Sequence, residues 1–162
     1  MPDIATLIPV VGLLCLPVSL VVAFSQAARD RRAMGTLAER FPLRPSLQFI
    51  GILAAAPVLI ALNFIRDFDL LTVFAITGVG VLGFHIACRE MAYGRVSGIY
   101  ENGIIWNGSA ISFDDVGSAA GEDPNTVVIT LNDRARRRFF SSDPDRAARV
   151  LALLREKGAG PE

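Results

Sequence analysis

This chain is poor in the side chains that carry out chemistry. Its 162 residues include one histidine, His85, and two cysteines, Cys15 and Cys88. Cys15 falls in the middle of one apolar run and Cys88 at the end of another, so the pattern argues against a disulfide or metal pair. Both read as packing thiols, which behave as small hydrophobes. The acidic pairs Asp114-Asp115 and Glu122-Asp123 have no histidine, cysteine or serine set beside them as nucleophile and base. Adjacent acids of this kind mark turns or strand ends, and the expectation is a non-enzyme without metal or cofactor. Excess charge of one sign is missing too. Sixteen basic and 16 acidic residues give a formal net charge of zero, so the overall balance offers no reason to expect nucleic acid.

Apolar residues are abundant: 52% of the chain is hydrophobic and the mean hydropathy is +0.45. Most of this lies before Cys88, in three uncharged runs, Ile4 to Phe24, Leu47 to Ile65 and Leu70 to Cys88. Each is long enough to cross the ~30 Å hydrocarbon core as a helix. The chain is thus expected to consist of a transmembrane domain over 1–90, with helices at 4–24, 47–65 and 70–88 and a cytosolic connector at 25–46, and a soluble domain over 91–162. A cleaved signal peptide is the rival for the first run. No Lys or Arg precedes it and three arginines follow at once, so it is read as a retained span.

Basic residues near span ends stay cytoplasmic. Arg29, Arg31, Arg32, Arg40 and Arg44 lie between the first two runs, and Arg89 and Arg95 follow the third, against Arg66 alone on the other side. This predicts an external N-terminus, a short external turn at Arg66-Asp67-Phe68-Asp69, and an internal C-terminal domain. Gln26 to Arg40 is expected to continue the first helix or to form an interfacial one, stopped by Pro42 and Pro45. Arg29, Arg31 and Arg32 then face the headgroups. Pro9, Pro17 and Pro57 are expected to kink their helices. Gly51 with Ala55, and Gly78, Gly80 and Gly83, supply the small faces through which membrane helices approach each other.

Two features look chemical. Gly78-Val79-Gly80-Val81-Leu82-Gly83 matches the dinucleotide fingerprint, but it lies inside an apolar span with no preceding strand, so helix packing explains it better. His85 is the only histidine, and no Asp or Glu lies within any span; one ligand does not make a site, and a ring that bonds between helices or reaches the interface is the expectation. Asn63 is expected to bond across helices.

From Val96 the period changes to two, with turn signals at Glu101-Asn102-Gly103, Asn107-Gly108, 121–125 and Leu131-Asn132-Asp133. Six antiparallel strands are expected, at 96–101, 104–107, 110–113, 116–120, 126–131 and 136–140. Ile104, Trp106, Ile111, Phe113, Val127, Ile129 and Leu131 should face inward. Asp143 or Ser142 then caps a helix with the stripe Ala147, Val150, Leu151 and Leu154, ended at Gly158.

The run from Gly98 to Val116, with its Tyr-x-x-Gly turn at Tyr100 to Gly103 and the step from Ile111 to Val116, resembles the pleckstrin-homology-like (PH-like) domains of bacterial membrane proteins. The resemblance implies an α+β domain, an antiparallel sheet or barrel capped by a C-terminal helix, attached to a bacterial inner (plasma) membrane. Such folds bind lipid, peptide or protein. Arg134, Arg136, Arg137 and Arg138 form the densest basic cluster and are the candidate contact to lipid or a partner. Nucleic acid is not expected, for want of an aromatic platform. The expected function is a non-enzymatic membrane protein presenting this domain to a protein partner or the anionic leaflet. The alternative is an accessory subunit of a larger membrane complex.

Overall fold

The computed structural model describes residues 3–41, 47–106, 108–141 and 143–157. Pro42, Arg44, Pro45, Asn107, Ser142 and Gly158, all used in the sequence argument, lie outside the described residues. The chain divides into two compact units, one of Met1–Arg29 and Leu43–Arg95 and one of Asp30–Pro42 and Val96–Glu162.

The first unit is helical. Helix α1 spans Ile4–Ala33, α2 spans Leu47–Ala61 and continues as a 3₁₀ turn over Leu62–Phe64, and α3 spans Leu70–Val96. All three are long and apolar enough to cross a membrane. α1 runs through Pro9 and Pro17 and α2 through Pro57. Asp69 caps α3: its carboxylate accepts from the Thr72 hydroxyl at 2.5 Å and the Thr72 N–H at 3.0 Å, and these bonds hold its pKa below the usual carboxylate value.

Small residues set the helix contacts. Ile60 is fully buried, and its methyl groups fill a notch formed by Gly12 of α1 and Gly80 of α3. A Cβ on Gly80 would lie 2.9 Å from Ile60 Cγ1, and one on Gly12 would overlap the Thr77 methyl. Asn63 bonds across helices as expected, its amide nitrogen donating to Ile60 O at 3.0 Å and to Thr77 Oγ1 of α3 at 3.4 Å. The small-residue reading needs one correction. Ala56 and Ile60 are buried and Ile52 reaches toward Gly83, so Gly51 and Ala55 fall one position around the helix and are exposed.

Among its described residues the second unit holds seven antiparallel strands: β1 (Leu37–Arg40), β2 (Gly98–Tyr100), β3 (Gly103–Trp106), β4 (Ser109–Ser112), β5 (Val116–Asp123), β6 (Thr126–Leu131) and β7 (Arg136–Phe140). They form a four-stranded sheet in the order β1-β2-β3-β4 and a three-stranded sheet in the order β5-β6-β7. Helix α4 (Pro144–Glu156) closes the unit, with Asp143 accepting from the N–H groups of Asp145 and Arg146 at its first turn. Its stripe of Ala147, Val150 and Leu154 enters the same core as Ile99, Ile104, Val127 and Ile129. Trp106 sits at the centre of that core, stacked on Phe139 at 5.4 Å and tilted against Phe41 at 5.5 Å. Leu131 and Phe113 are only partly buried, at the margin of the core where the inward pattern ends.

Strand β1 departs from the sequence expectation, which extended a helix to Arg40. The helix stops at Ala33 because Gly35 takes the left-handed conformation, φ 82°, that a glycine adopts beyond a helix end. The chain then pairs with β2 in the register Leu37↔Tyr100, Glu39↔Ile99 and Arg40↔Gly98. Backbone bonds from Glu101 N to Thr36 O and from Phe41 N to Ser97 O extend the pairing. Gly98 permits it, since a Cβ there would overlap the Glu39 carbonyl. Ile105 is a second departure: it is fully buried although it alternates with Ile104 and Trp106, so β3 is covered on both faces.

Gly80→Leu should destabilise the helical unit by about 1–3 kcal/mol through overpacking against Ile60, whereas Gly78→Leu, where a Cβ meets nothing within 4 Å, should be neutral; thermal aggregation of the full chain in detergent checks both. Trp106 is the only tryptophan, so its emission reports on the sheet unit alone. By that signal Asp143→Ala should cost about 1 kcal/mol, the usual loss of a helix cap.

Candidate functional site

The arginine cluster lies on the β6–β7 hairpin, at an edge of the three-stranded sheet. Asn132 and Asp133 shape its turn: the Asn132 amide donates to Asp114 O at 2.8 Å, and Asp133 Oδ1 accepts from Ala135 N at 2.8 Å. Arg134 occupies the turn with φ 67°, a left-handed conformation costly for a side chain with a Cβ, and its N–H bonds Leu131 O at 2.8 Å. β7 then pairs as Arg136↔Thr130, Arg137↔Ile129, Arg138↔Val128 and Phe139↔Val127.

Strand alternation sorts the cluster. Phe139 points into the core and stacks on Trp106, which anchors β7. Arg136, Arg138 and Phe140 therefore share the opposite face, and Arg137 has the parity of Phe139. All four arginines are exposed, and Phe140 is 62% exposed beside them. Arg138 pairs with Glu122 of β5 at 2.9 Å, a solvent-exposed bridge of the kind that contributes at most about 1 kcal/mol. Sequence reasoning found the arginines and missed Phe140. The signal was available in the order Arg136-Arg137-Arg138-Phe139-Phe140, where alternation buries one phenylalanine and exposes the other.

Arg29, Arg31 and Arg32 are exposed on the last turns of α1, an element separate from β7. Arg31, with Arg40, lies close enough to Tyr100 to influence it. Burial pushes the Tyr100 phenol above its ordinary value of 10.0, and Arg31 and Arg40 pull it partly back. The phenol donates to Val96 O at 2.5 Å, a bond that ties β2 to the segment before it.

The remaining sequence candidates serve the fold. Asp114 and Asp115 form a 3₁₀ turn between β4 and β5, capped by the Ser112 hydroxyl, which accepts from Asp114 N at 3.4 Å. Asp123 closes its own turn by accepting from Asn125 N at 2.8 Å. Cys15 and Cys88 are free thiols. Among the described residues no group of three His, Cys, Asp or Glu side chains could hold a metal ion.

No family model, curated protein or solved structure matches this chain. The functional reading therefore rests on these residues and their geometry.

Tyr100 yields a pH dependence. Its raised pKa means that folding favours the neutral phenol, so the stability this carries is complete below pH 10 and is lost as the pH climbs through the raised value. Alkaline titration followed by Trp106 emission should show the sheet unit weakening above pH 10, and Tyr100→Phe should flatten that limb.

Proposed function

We propose that this chain is a non-enzymatic, three-span protein of a bacterial inner membrane, whose sheet unit is a cytosolic PH-like domain that docks on the anionic leaflet through β7. The observation that carries the docking is the shared face of Arg136, Arg138 and the exposed Phe140. Arginine fits phosphate bidentately, and an exposed phenyl ring beside it suits the boundary between headgroups and acyl chains.

The membrane reading is supported by the outward side chains of the helical unit. Leu7, Leu14, Val18, Leu71, Phe74 and Val79 are each more than half exposed, as lipid-facing residues would be. A soluble protein rarely leaves so much contiguous apolar surface in water. The reading with the N-terminus outside and the sheet unit inside is supported by Arg29, Arg31, Arg32, Arg89 and Arg95 at one set of helix ends against Arg66 at the other. The PH-like reading is favoured by seven antiparallel strands, split four and three and closed by a C-terminal helix. β1, supplied from before α2, brings the six strands of residues 96–140 to seven.

Each arginine near an anionic surface contributes about 1 kcal/mol, screened by salt. The experiment uses the full chain reconstituted in vesicles, with Phe140→Trp as reporter. In vesicles containing brominated phosphatidylglycerol the new tryptophan should be quenched while Trp106, buried in the core, is not. Quenching should fall at high salt and vanish when Arg134, Arg136, Arg137 and Arg138 are all changed to Gln. Equal quenching with and without the arginines, insensitive to salt, would defeat the docking proposal.

A further inference from the structure

The helical unit contains a groove of about 540 Å³ between α1 and α3, on a side that Ile60 does not fill. Cys15 and Ser19 of α1 and Phe74, Gly78, Leu82 and His85 of α3 line it. Its walls are almost wholly apolar, and His85 stands toward the end at which the arginines of α3 begin. Arg89 follows one turn later on the same side of the helix, with its guanidinium over the Tyr93 ring at 5.7 Å.

We propose that this groove binds one acyl chain of an anionic phospholipid, whose phosphate is held by His85 and Arg89. The inference rests on the reading of α1 and α3 as membrane spans. Three observations select this occupant. From Phe74 to His85 the helix rises about 16 Å, so a chain entering beside His85 has an apolar path through the middle of the span. A further helix, about 10–12 Å across, is too broad to enter and would only lie over the opening. The charge is placed at one end alone, where a headgroup would sit, and arginine matches phosphate geometry while an imidazole N–H donates to it. Gly78 keeps the groove open: a Cβ there would meet nothing within 4 Å, in contrast to Gly80 two residues on, which Ile60 fills.

The test is native mass spectrometry of the full chain in detergent, after incubation with phosphatidylglycerol or phosphatidylcholine. The wild-type chain should retain one phosphatidylglycerol, preferred about fivefold, the weight of one basic residue at a leaflet surface. Gly78→Phe puts a ring into the groove and should lose the bound lipid. Ser19→Leu fills it from the α1 side and should do the same if Gly78→Phe does not accumulate. Arg89→Gln should keep a lipid but lose the preference for phosphatidylglycerol. Retention unchanged by either filling variant overturns the proposal, as does a wild-type dimer that the filling variants dissolve, which would make a second copy the occupant. An alkaline carbonate wash of vesicles separates the two levels of the argument. Release of the chain removes the membrane reading and the groove lipid with it. A chain that stays embedded and shows no lipid preference removes the groove proposal alone.

Discussion

The sheet unit depends on the pairing of β1 with β2, because that contact joins segments which α2 and α3 separate in the chain. The register Leu37↔Tyr100 to Arg40↔Gly98 supplies backbone partners along β2 and carries Phe41 onto Trp106. Arg146 of α4 then lies over the Phe41 ring at 5.6 Å, and Arg149 pairs with Glu39 at 3.4 Å. A four-residue strand thus meets both β2 and the closing helix. Without it β2 would be an edge and the face of Trp106 now against Phe41 would be open. Because α2 and α3 lie between the two segments in the chain, their pairing is a non-local closure that carries its own entropy cost.

Much of this was legible in the sequence, and the exceptions have physical causes. Long uncharged runs announce helices through composition alone. The hairpins at Glu101-Asn102-Gly103 and Leu131-Asn132-Asp133 were legible because turn residues interrupt short β-forming runs. Asp143 before Pro144 and the spacing of Ala147, Val150 and Leu154 marked α4. β1 was not legible, because Leu37-Ala38-Glu39-Arg40 has helix-forming composition and becomes a strand only through its partner. Gly35 was the one local clue, a glycine at the point where a helix stops. The exposure of Gly51 and Gly78, against the burial of Gly80, was equally hidden, since spacing identifies a small residue without saying which neighbour faces it.

The candidate site shows the same division. Clustering of Arg134, Arg136, Arg137 and Arg138 is a property of the sequence, but their separation into a turn position, one side and the other side of β7 is a property of pairing. The buried partner in this arrangement is Phe139: its stacking on Trp106 fixes the strand's parity and so determines which arginines accompany Phe140. A slip of one residue would turn Arg136, Arg138 and Phe140 inward and expose Phe139.

Basic residue choice ties the two units together chemically. Lys157 is the only lysine in the chain, and every other basic side chain is arginine. Arg89 lies over Tyr93, Arg95 over Phe24 at 5.4 Å and Arg146 over Phe41, uses of the flat guanidinium that an ammonium serves less well. Stacking on a ring covers one face of the guanidinium and restrains the side chain. An arginine so held has lost part of its rotamer freedom already, and ordering it on a phosphate costs correspondingly less. Arg89 meets that condition beside the α1–α3 groove. On β7 the restraint comes from the Arg138–Glu122 bridge, which orients one guanidinium across the sheet but also offers phosphate a competitor. Of the two proposed contacts, the groove is therefore the better organised in advance, and β7 is the one that salt should modulate more strongly.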